Sequence, residues 1–178
     1  LNMPSVAEKL GQMAAQAAMV EGLVYGMESG GGYYNGYYVP DRNLMYTAQV
    51  LTQQLYPEFI TSMREIAGGG LIMLPSSVKD FENPEIAKYI HATQNSAVGT
   101  SEEKVKFMKL AWDAIGSEFA SRHTQYEMFY AGAQFVTRGH ALRTYDWNRS
   151  KILVDDILNS YNLEDMFEEK NVAAEWLF

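Results

Sequence analysis

Residues 100–119 read TSEEKVKFMKLAWDAIGSEF, the stretch with the clearest helical pattern in the chain. Its large apolar residues stand three or four positions apart, which places them on one side of a helix. They are Val105, Met108, Trp112, Ile115 and Phe119. Thr100 and Glu103 form a capping box, in which each side chain bonds a backbone amide at the helix start. The stretch predicts a helix that begins after Thr100 and continues to Tyr126.

The same spacing recurs near the start of the chain. Pro4 and Ser5 open a predicted first helix, and Ser5 with Glu8 forms a second capping box. A narrow apolar stripe follows, which is typical of a helix packed in a bundle. Its members are Val6, Leu10, Met13, Ala17, Val20, Val24 and Met27.

Two further helices are predicted. One follows Pro40–Asp41 and ends at the glycine triplet 68–70, with Pro57 expected to kink or restart it at Tyr56. The other spans roughly residues 136–160. Its residues predicted to face inward are Leu142, Tyr145, Ile152 and Leu153.

The segment between the first two helices is rich in glycine and tyrosine. Three consecutive glycines end a helix, because ordering them costs the most backbone entropy. The tyrosines that follow are expected to pack at an interface between subunits. They are Tyr33, Tyr34, Tyr37 and Tyr38. No alternating strand pattern is recognised here or elsewhere, so the fold predicted for residues 1–162 is all-α, an antiparallel helical bundle, with an acidic C-terminal arm over 163–178.

Composition excludes several classes of function. The chain has 178 residues and a net charge of −8. Seven acidic residues and one lysine lie between 155 and 178, so this segment accounts for most of that charge. Nucleic-acid and anionic-membrane binding both need clustered cations, and neither is expected. No apolar run reaches the length of a membrane-spanning helix, and no signal-peptide pattern is present, so a cytoplasmic protein is expected.

Searches for catalytic and metal-binding motifs are negative. The chain contains no cysteine, so it has no disulfide, thiolate nucleophile or cysteine-ligated metal. No glutamate precedes a histidine by three residues, as carboxylate-bridged iron sites in bundles require. His123 and Glu127 stand four apart, which fits an ordinary contact on a helix surface. Neither a metal site nor a catalytic residue is predicted.

The triplet Gly68–Gly70 leaves two interpretations open. It fits a helix C-cap followed by a tight turn. It also fits an anion site, because glycines expose backbone amides to a pyrophosphate. Ser76, just after Pro75, would add a hydroxyl donor.

Three segments together resemble the 4-hydroxyphenylacetate 3-hydroxylase family. The first, residues 64–76, reads REIAGGGLIMLPS and combines a helix end, a glycine turn and Leu-Pro-Ser. The second, residues 110–132, reads LAWDAIGSEFASRHTQYEMFYAG and is the most specific of the three. The third, RTYDW at residues 143–147, resembles the start of the closing helix of the family.

The resemblance implies the C-terminal helical domain of a two-component monooxygenase that hydroxylates phenols such as 4-hydroxyphenylacetate. In that family a separate reductase supplies reduced FAD. The fold implied is similar to the C-terminal domain of the acyl-CoA dehydrogenases, which assembles as a dimer or tetramer. The N-terminal and middle domains that hold the phenol have no counterpart in this sequence, so no catalytic residue is assigned and the isolated chain is expected to be inactive.

The resemblance also implies a role in holding the FAD diphosphate. Gly68, Gly69, Gly70 and Ser76 match the glycine turn of such domains, and Arg64 lies one helical turn earlier as a charge partner. Two alternatives remain open: a flavoprotein domain similar to 4-hydroxybutyryl-CoA dehydratase, and a helical assembly module that binds no ligand.

Overall fold

The computed structural model of the chain describes residues 3–161, and the predicted arm over 163–178 lies outside them. The all-α prediction is confirmed. The helices are α1 (Pro4–Ser29), α2 (Arg42–Ala67), α3 (Pro84–Thr93), α4 (Ser101–Ile115), α5 (Glu118–Phe129), α6 (Gln134–Thr144) and α7 (Trp147–Ser160). Two short 3-10 helices cover Gly68–Leu71 and Val78–Phe81. The chain divides into two compact units, the first ending at Arg143 and the second starting at Thr144 with α7.

Two predicted long helices are each broken in two. The helix expected to continue from Thr100 to Tyr126 stops at Gly116, and Ser117 starts α5 by accepting a hydrogen bond from the Ala120 amide at 3.1 Å. The helix expected over 136–160 is interrupted before Trp147, where Asp146 accepts from the Arg149 amide at 3.0 Å. In both places a polar side chain caps a new helix, and such a local signal outweighs the continuing apolar spacing. The capping box at Thr100 and Glu103 is confirmed.

Helices α1 and α2 begin where the sequence predicts, but the cap of α1 and the passage of α2 through Pro57 differ from the prediction. Helix α1 begins at Pro4 with Met3 at its N-cap and no side-chain cap, so the predicted box of Ser5 and Glu8 is wrong. Helix α2 continues through Pro57 without restarting. The residues on either side of this proline explain its tolerance, because Gln53 and Ile60 are both buried in tertiary contacts that hold the two halves in place.

A β-hairpin joins α1 to α2. Strands β1 (Gly32–Tyr34) and β2 (Tyr37–Val39) pair antiparallel, with Tyr33 opposite Tyr38 and Tyr34 opposite Tyr37. The turn consists of Asn35 and Gly36, both at positive φ (49° and 83°). Asn-Gly favours this backbone conformation, which matches the twist of paired strands. The prediction of no strand is therefore wrong for this segment.

Helices α1 and α2 run antiparallel in contact along their length. Near the start of α1, Lys9 pairs with Glu65 near the end of α2. Further along, Gln12 and Gln16 both donate to Glu58 Oε1, at 2.7 and 2.9 Å. At the hairpin end, the Asp41 amide donates to the Met27 carbonyl at 2.8 Å. This succession of contacts confirms the antiparallel arrangement.

The main apolar cluster lies where α2, α4 and the first 3-10 helix meet. Its buried members are Ile60, Leu71 and Ile115, and partly buried side chains such as Met63 and Met108 pack around them. Leu71 anchors the chain directly after the glycine triplet. Outside the cluster, many apolar side chains are exposed. Those predicted to face inward, Leu142, Tyr145, Ile152 and Leu153, are among them.

Gln53, in the middle of α2, connects α2 to α5, α6 and the segment between them. Its side chain is 1% exposed. The amide nitrogen donates to the carbonyls of Met128 and Gly132, at 3.0 and 2.7 Å. Its oxygen accepts from the hydroxyl of Thr137 at 2.9 Å, and Thr137 is fully buried. One side chain thus bonds one buried hydroxyl and two partly buried carbonyls that lie far from it in sequence.

Arg64, in the last turn of α2, holds the end of α4. Its Nε and Nη2 both donate to the Ile115 carbonyl, at 3.0 and 2.6 Å. Carbonyls in the last turn of a helix have no partner within that helix and carry partial negative charge, so a guanidinium is a favourable partner.

No helix in the part of the chain that the structure describes is long and apolar enough to span a membrane.

We predict that Gln53→Leu lowers the free energy of unfolding by about 3 kcal/mol. The substitution removes the donor from two partly buried carbonyls, and the buried Thr137 hydroxyl keeps only its bond to the Gln134 carbonyl. Gln54→Leu is the matched control, since Gln54 is adjacent and exposed, and we expect it to change stability by less than about 0.5 kcal/mol. Urea unfolding followed by circular dichroism measures both. Equal stabilities of the two variants would contradict the assigned role of Gln53.

We predict that Arg64→Met lowers the free energy of unfolding by about 1 kcal/mol in the absence of any ligand, because the end of α4 loses its two donors. Arg64→Lys should recover only part of the loss, since an ammonium cannot reproduce the paired donors of the guanidinium. Unfolding of the ligand-free chain measures the effect. A change too small to measure for Arg64→Met would show that the contact with Ile115 does not stabilise the fold.

Candidate functional site

The candidate site is the glycine turn at the end of α2. Gly68 has φ of 55° and its amide donates to the Arg64 carbonyl, which ends the helix. The chain then makes one turn of 3-10 helix, and the amides of Ile72 and Met73 donate back to the Gly69 carbonyl. Only glycine takes the positive φ at position 68 without strain. The C-cap interpretation therefore describes Gly68 correctly.

The surroundings of the three glycines differ. Gly68 and Gly69 are exposed, and a Cβ atom built on either would meet no heavy atom within 4 Å. A Cβ on Gly70 would lie 2.6 Å from Cε of Met108 on α4. The turn therefore presents its backbone at Gly68 and Gly69 to open space, while Gly70 faces the bundle. Exposed backbone of this kind is what an anion-binding turn requires.

The other predicted site residues are occupied by contacts within the chain. Arg64 uses two of its nitrogens on the Ile115 carbonyl. Ser76 Oγ lies 3.3 Å from Oδ2 of Asp80, and Lys109 Nζ lies 3.4 Å from the Ser76 carbonyl. Sequence spacing correctly placed Arg64 and the triplet at one helix end, but it could not reveal these partners. Their roles in ligand binding stay predictions.

The loop after the glycine turn is held in place and borders a cavity. The buried side chain of Gln94 donates to the Met73 carbonyl at 2.6 Å. A cavity of about 410 Å³ lies between this loop and α4, and Lys106, Lys109 and Glu102 are among its lining residues. Hydrogen bonds from its own backbone amide and from Thr100 lower the pKa of the Glu102 carboxyl, so this group is ionised at neutral pH. The cavity edge therefore carries both signs of charge.

The histidines do not assemble a metal site. Residues 3–161 contain no cluster of three or more metal-ligating side chains. His123 Nε2 lies 3.2 Å from Glu127 Oε1, as the spacing of four residues predicted. His91 lies 3.8 Å from Glu102, a residue from another helix.

An aromatic ladder on α5 is a feature that sequence analysis missed. The rings of Phe119, His123, Tyr126 and Tyr130 are stacked, with centroids 5.5 to 6.2 Å apart along the helix. Phe119, His123 and Tyr126 also line a cavity of about 370 Å³, together with Arg122. The spacing of three and four residues from Phe119 to Tyr130 was the available signal, but only Phe119 is assigned to an apolar stripe in the sequence analysis.

Comparison with known proteins identifies the family. The model of the family described as 4-hydroxyphenylacetate 3-hydroxylase C terminal matches residues 1–159. The 4-hydroxyphenylacetate 3-monooxygenase oxygenase component of Pseudomonas aeruginosa is 40% identical over 112 residues, which are 62% of this chain and 22% of the relative. The protein of the same description from Escherichia coli is 35% identical over 135 residues, 73% of this chain and 26% of the relative. The chain thus spans about a quarter of the length of these relatives.

Solved structures agree in fold. The oxygenase component (HpaB) of 4-hydroxyphenylacetate 3-monooxygenase, in a complex with FAD and 4-hydroxyphenylacetate, has a TM-score of 0.82 at 26% identity. The match covers 88% of this chain and 33% of that one. An archaeal 4-hydroxybutyryl-CoA dehydratase from N. maritimus has a TM-score of 0.79 at 20% identity and shares the fold alone. The glycine turn, the α5 segment and the family match lead to one conclusion: the chain belongs to the 4-hydroxyphenylacetate 3-hydroxylase family, of which it represents the C-terminal domain.

Proposed function

We propose that this chain is the C-terminal domain, or a split C-terminal subunit, of a monooxygenase that uses reduced FAD to hydroxylate phenols. Its task is to complete the FAD site and to form contacts between subunits. The relatives named above are oxygenase components, and HpaB has been solved in complex with FAD and 4-hydroxyphenylacetate. Because the chain corresponds to about a quarter of such a protein, the phenol pocket and the catalytic residues are assigned to other parts of the enzyme.

The observation that carries the flavin proposal is the open turn at Gly68 and Gly69. A dinucleotide diphosphate is bound by backbone amides that approach it closely, and side chains at these positions would stand in the way. Gly69 would donate to the diphosphate, with Gly68 and Gly70 shaping the turn. Ser76 would donate as well once its hydroxyl turns from Asp80 to the ligand. Arg64 contributes positive charge nearby while it holds the end of α4.

Reduced FAD, supplied by a separate reductase, would supply the electrons that activate dioxygen. One oxygen atom of dioxygen would then be added to the phenol ring. The domain described here would hold the diphosphate end of that cofactor. A cytoplasmic location accompanies this proposal, because reduced nicotinamide for the reductase is available there.

The observation that carries the assembly proposal is the exposed face of the hairpin. Tyr34 and Tyr37 are opposite each other across the strands and are 71% and 77% exposed. In the other pair, the Tyr38 hydroxyl donates to the Glu28 carbonyl at 2.5 Å and ties the hairpin to α1. Tyr33 packs edge-to-face on Tyr38 and is itself 82% exposed. A rigid hairpin that presents two aromatic rings is well suited to an interface, since tyrosine is enriched there. We assign this face to a dimer or tetramer contact with a second copy of the chain.

We predict that the chain binds FAD and that Gly69→Asp weakens this binding at least tenfold more than Gly69→Asn. Both side chains have space at position 69, and both obstruct the backbone, but only aspartate adds a charge that repels the diphosphate. Quenching of flavin fluorescence in a titration at low ionic strength measures the affinities. Equal affinities of the two variants would contradict the placement of the diphosphate at this turn.

We predict that light scattering at micromolar concentration gives a mass that is a multiple of the 20.1 kDa chain. The double variant Tyr34→Ser, Tyr37→Ser should shift the mass toward the monomer, since two exposed rings are removed from the interface. Tyr89→Ser is the control, because Tyr89 on α3 is 66% exposed and lies outside the hairpin. A wild-type mass near 20.1 kDa, or an unchanged mass for the double variant, would overturn the hairpin assignment.

A further inference from the structure

A cleft of about 510 Å³ lies between α1, α2 and α5, within the first unit. Its walls are mostly apolar and include Ala17 and Val20 from α1 and Leu55, Tyr56 and Phe59 from α2. The volume and the character of the walls are those of a site for a small organic molecule. None of the residues assigned to the flavin lines this cleft, so a ligand bound here would not depend on the proposed flavin site.

Gln16 places a buried acceptor without a partner at the cleft. The residue is 7% exposed and lines the cleft. Its Nε2 donates to Glu58 Oε1 at 2.9 Å, which fixes the orientation of the amide, because the reverse orientation would place its oxygen against the carboxylate. The amide oxygen Oε1 has no hydrogen-bond partner among residues 3–161, and almost none of its own surface is exposed. A buried acceptor left unpaired is costly, and a donor on a ligand would remove that cost.

The charged groups at the cleft are acidic. Glu21 and Glu127 line it, and no lysine or arginine of the described chain does so. Glu127 also pairs with His123, which lies on the same helix. Burial and then the neighbouring Glu127 carboxylate raise the pKa of the Tyr56 phenol, so this side chain is neutral and adds no charge. The cleft therefore favours a cation over an anion.

We propose that this cleft binds a primary amine with an apolar body. The apolar part fills the space between Val20, Leu55 and Phe59, and the carboxylates of Glu21 and Glu127 neutralise the charge. One ammonium N–H donates to Gln16 Oε1, after a small shift of the Gln16 side chain brings this oxygen to the cleft surface. The partnerless acceptor and the acidic lining favour the same class of ligand, because an ammonium group supplies both a donor and a positive charge. No covalent step is involved.

The test uses two probes that share a shape and differ in charge. 2-Phenylethylamine is a cation at neutral pH, and 3-phenylpropanoate is its anionic counterpart. Titration of the purified chain followed by NMR should give a Kd of about 1 mM for the amine, as expected of a fragment of its size. The acid should bind at least tenfold more weakly. Nuclear Overhauser contacts from the amine ring to the Val20 methyls and the Phe59 ring should place it in the cleft.

Substitutions of two glutamines separate the contribution of the Gln16 oxygen to amine binding from that of the bond to Glu58. Gln16→Met keeps the length and loses the oxygen, and it should weaken the amine about tenfold. Gln12→Met is the matched control, since Gln12 also donates to Glu58 Oε1 but does not line the cleft, and it should change the Kd less than twofold. Val20→Phe, which fills the cleft, should abolish binding and serves as the second variant if Gln16→Met does not fold. Equal affinity for amine and acid, absence of contacts to Val20 and Phe59, or undiminished binding by both cleft variants would overturn the proposal.

Discussion

A single buried amide, that of Gln53, joins α2 to α5 and α6 in the first unit of this protein. Its nitrogen donates to one carbonyl at the end of α5 and to another in the segment that follows. Its oxygen accepts a hydrogen bond from the hydroxyl of Thr137 on α6. Backbone groups where helices end have no partners inside their own helices, and burying them is unfavourable unless a side chain supplies the missing bonds. Apolar packing can bring the helices together, but it does not select one register. The three directional bonds at Gln53 do so.

Arg64 plays an equivalent role at the C-terminal end of the same helix. It binds the last carbonyl of α4, while Leu71, seven residues on, is buried in the apolar cluster with Ile60 and Ile115. The glycine turn lies between these two fixed points. Gly68 and Gly69 are therefore exposed without being loosely attached, and this combination suits a site that must present amides to a cofactor at a defined position. The proposed flavin role thus rests on contacts that have a structural purpose of their own.

Sequence patterns predicted the helical class and the positions of α1, α2 and α4, because each has a long apolar stripe or a clear cap. The predictions were wrong where a short local signal, such as a helix cap or a turn dipeptide, competes with a longer pattern of apolar spacing. Ser117 and Asp146 start new helices inside continuous apolar spacings, and Asn35–Gly36 forms a hairpin in a segment interpreted as a loop. The partners of Gln53 and Arg64 are more than fifty residues away, so no pattern along the chain identifies them. Leu142 and Leu153 were predicted to face inward, but both are exposed. Apolar character alone does not show whether a side chain is buried.

The proposed contact between the glycine turn and the diphosphate of FAD can be tested at individual backbone amides. The most direct measurement follows the backbone amide signals of residues 68–73 by two-dimensional NMR while FAD is added to the chain, with riboflavin, which lacks the diphosphate, as the comparison. We expect the Gly69 signal to move strongly with FAD and little with riboflavin, whereas the Gly68 amide, already bonded to the Arg64 carbonyl, should move less. FAD binding that leaves the Gly69 signal in place would contradict it.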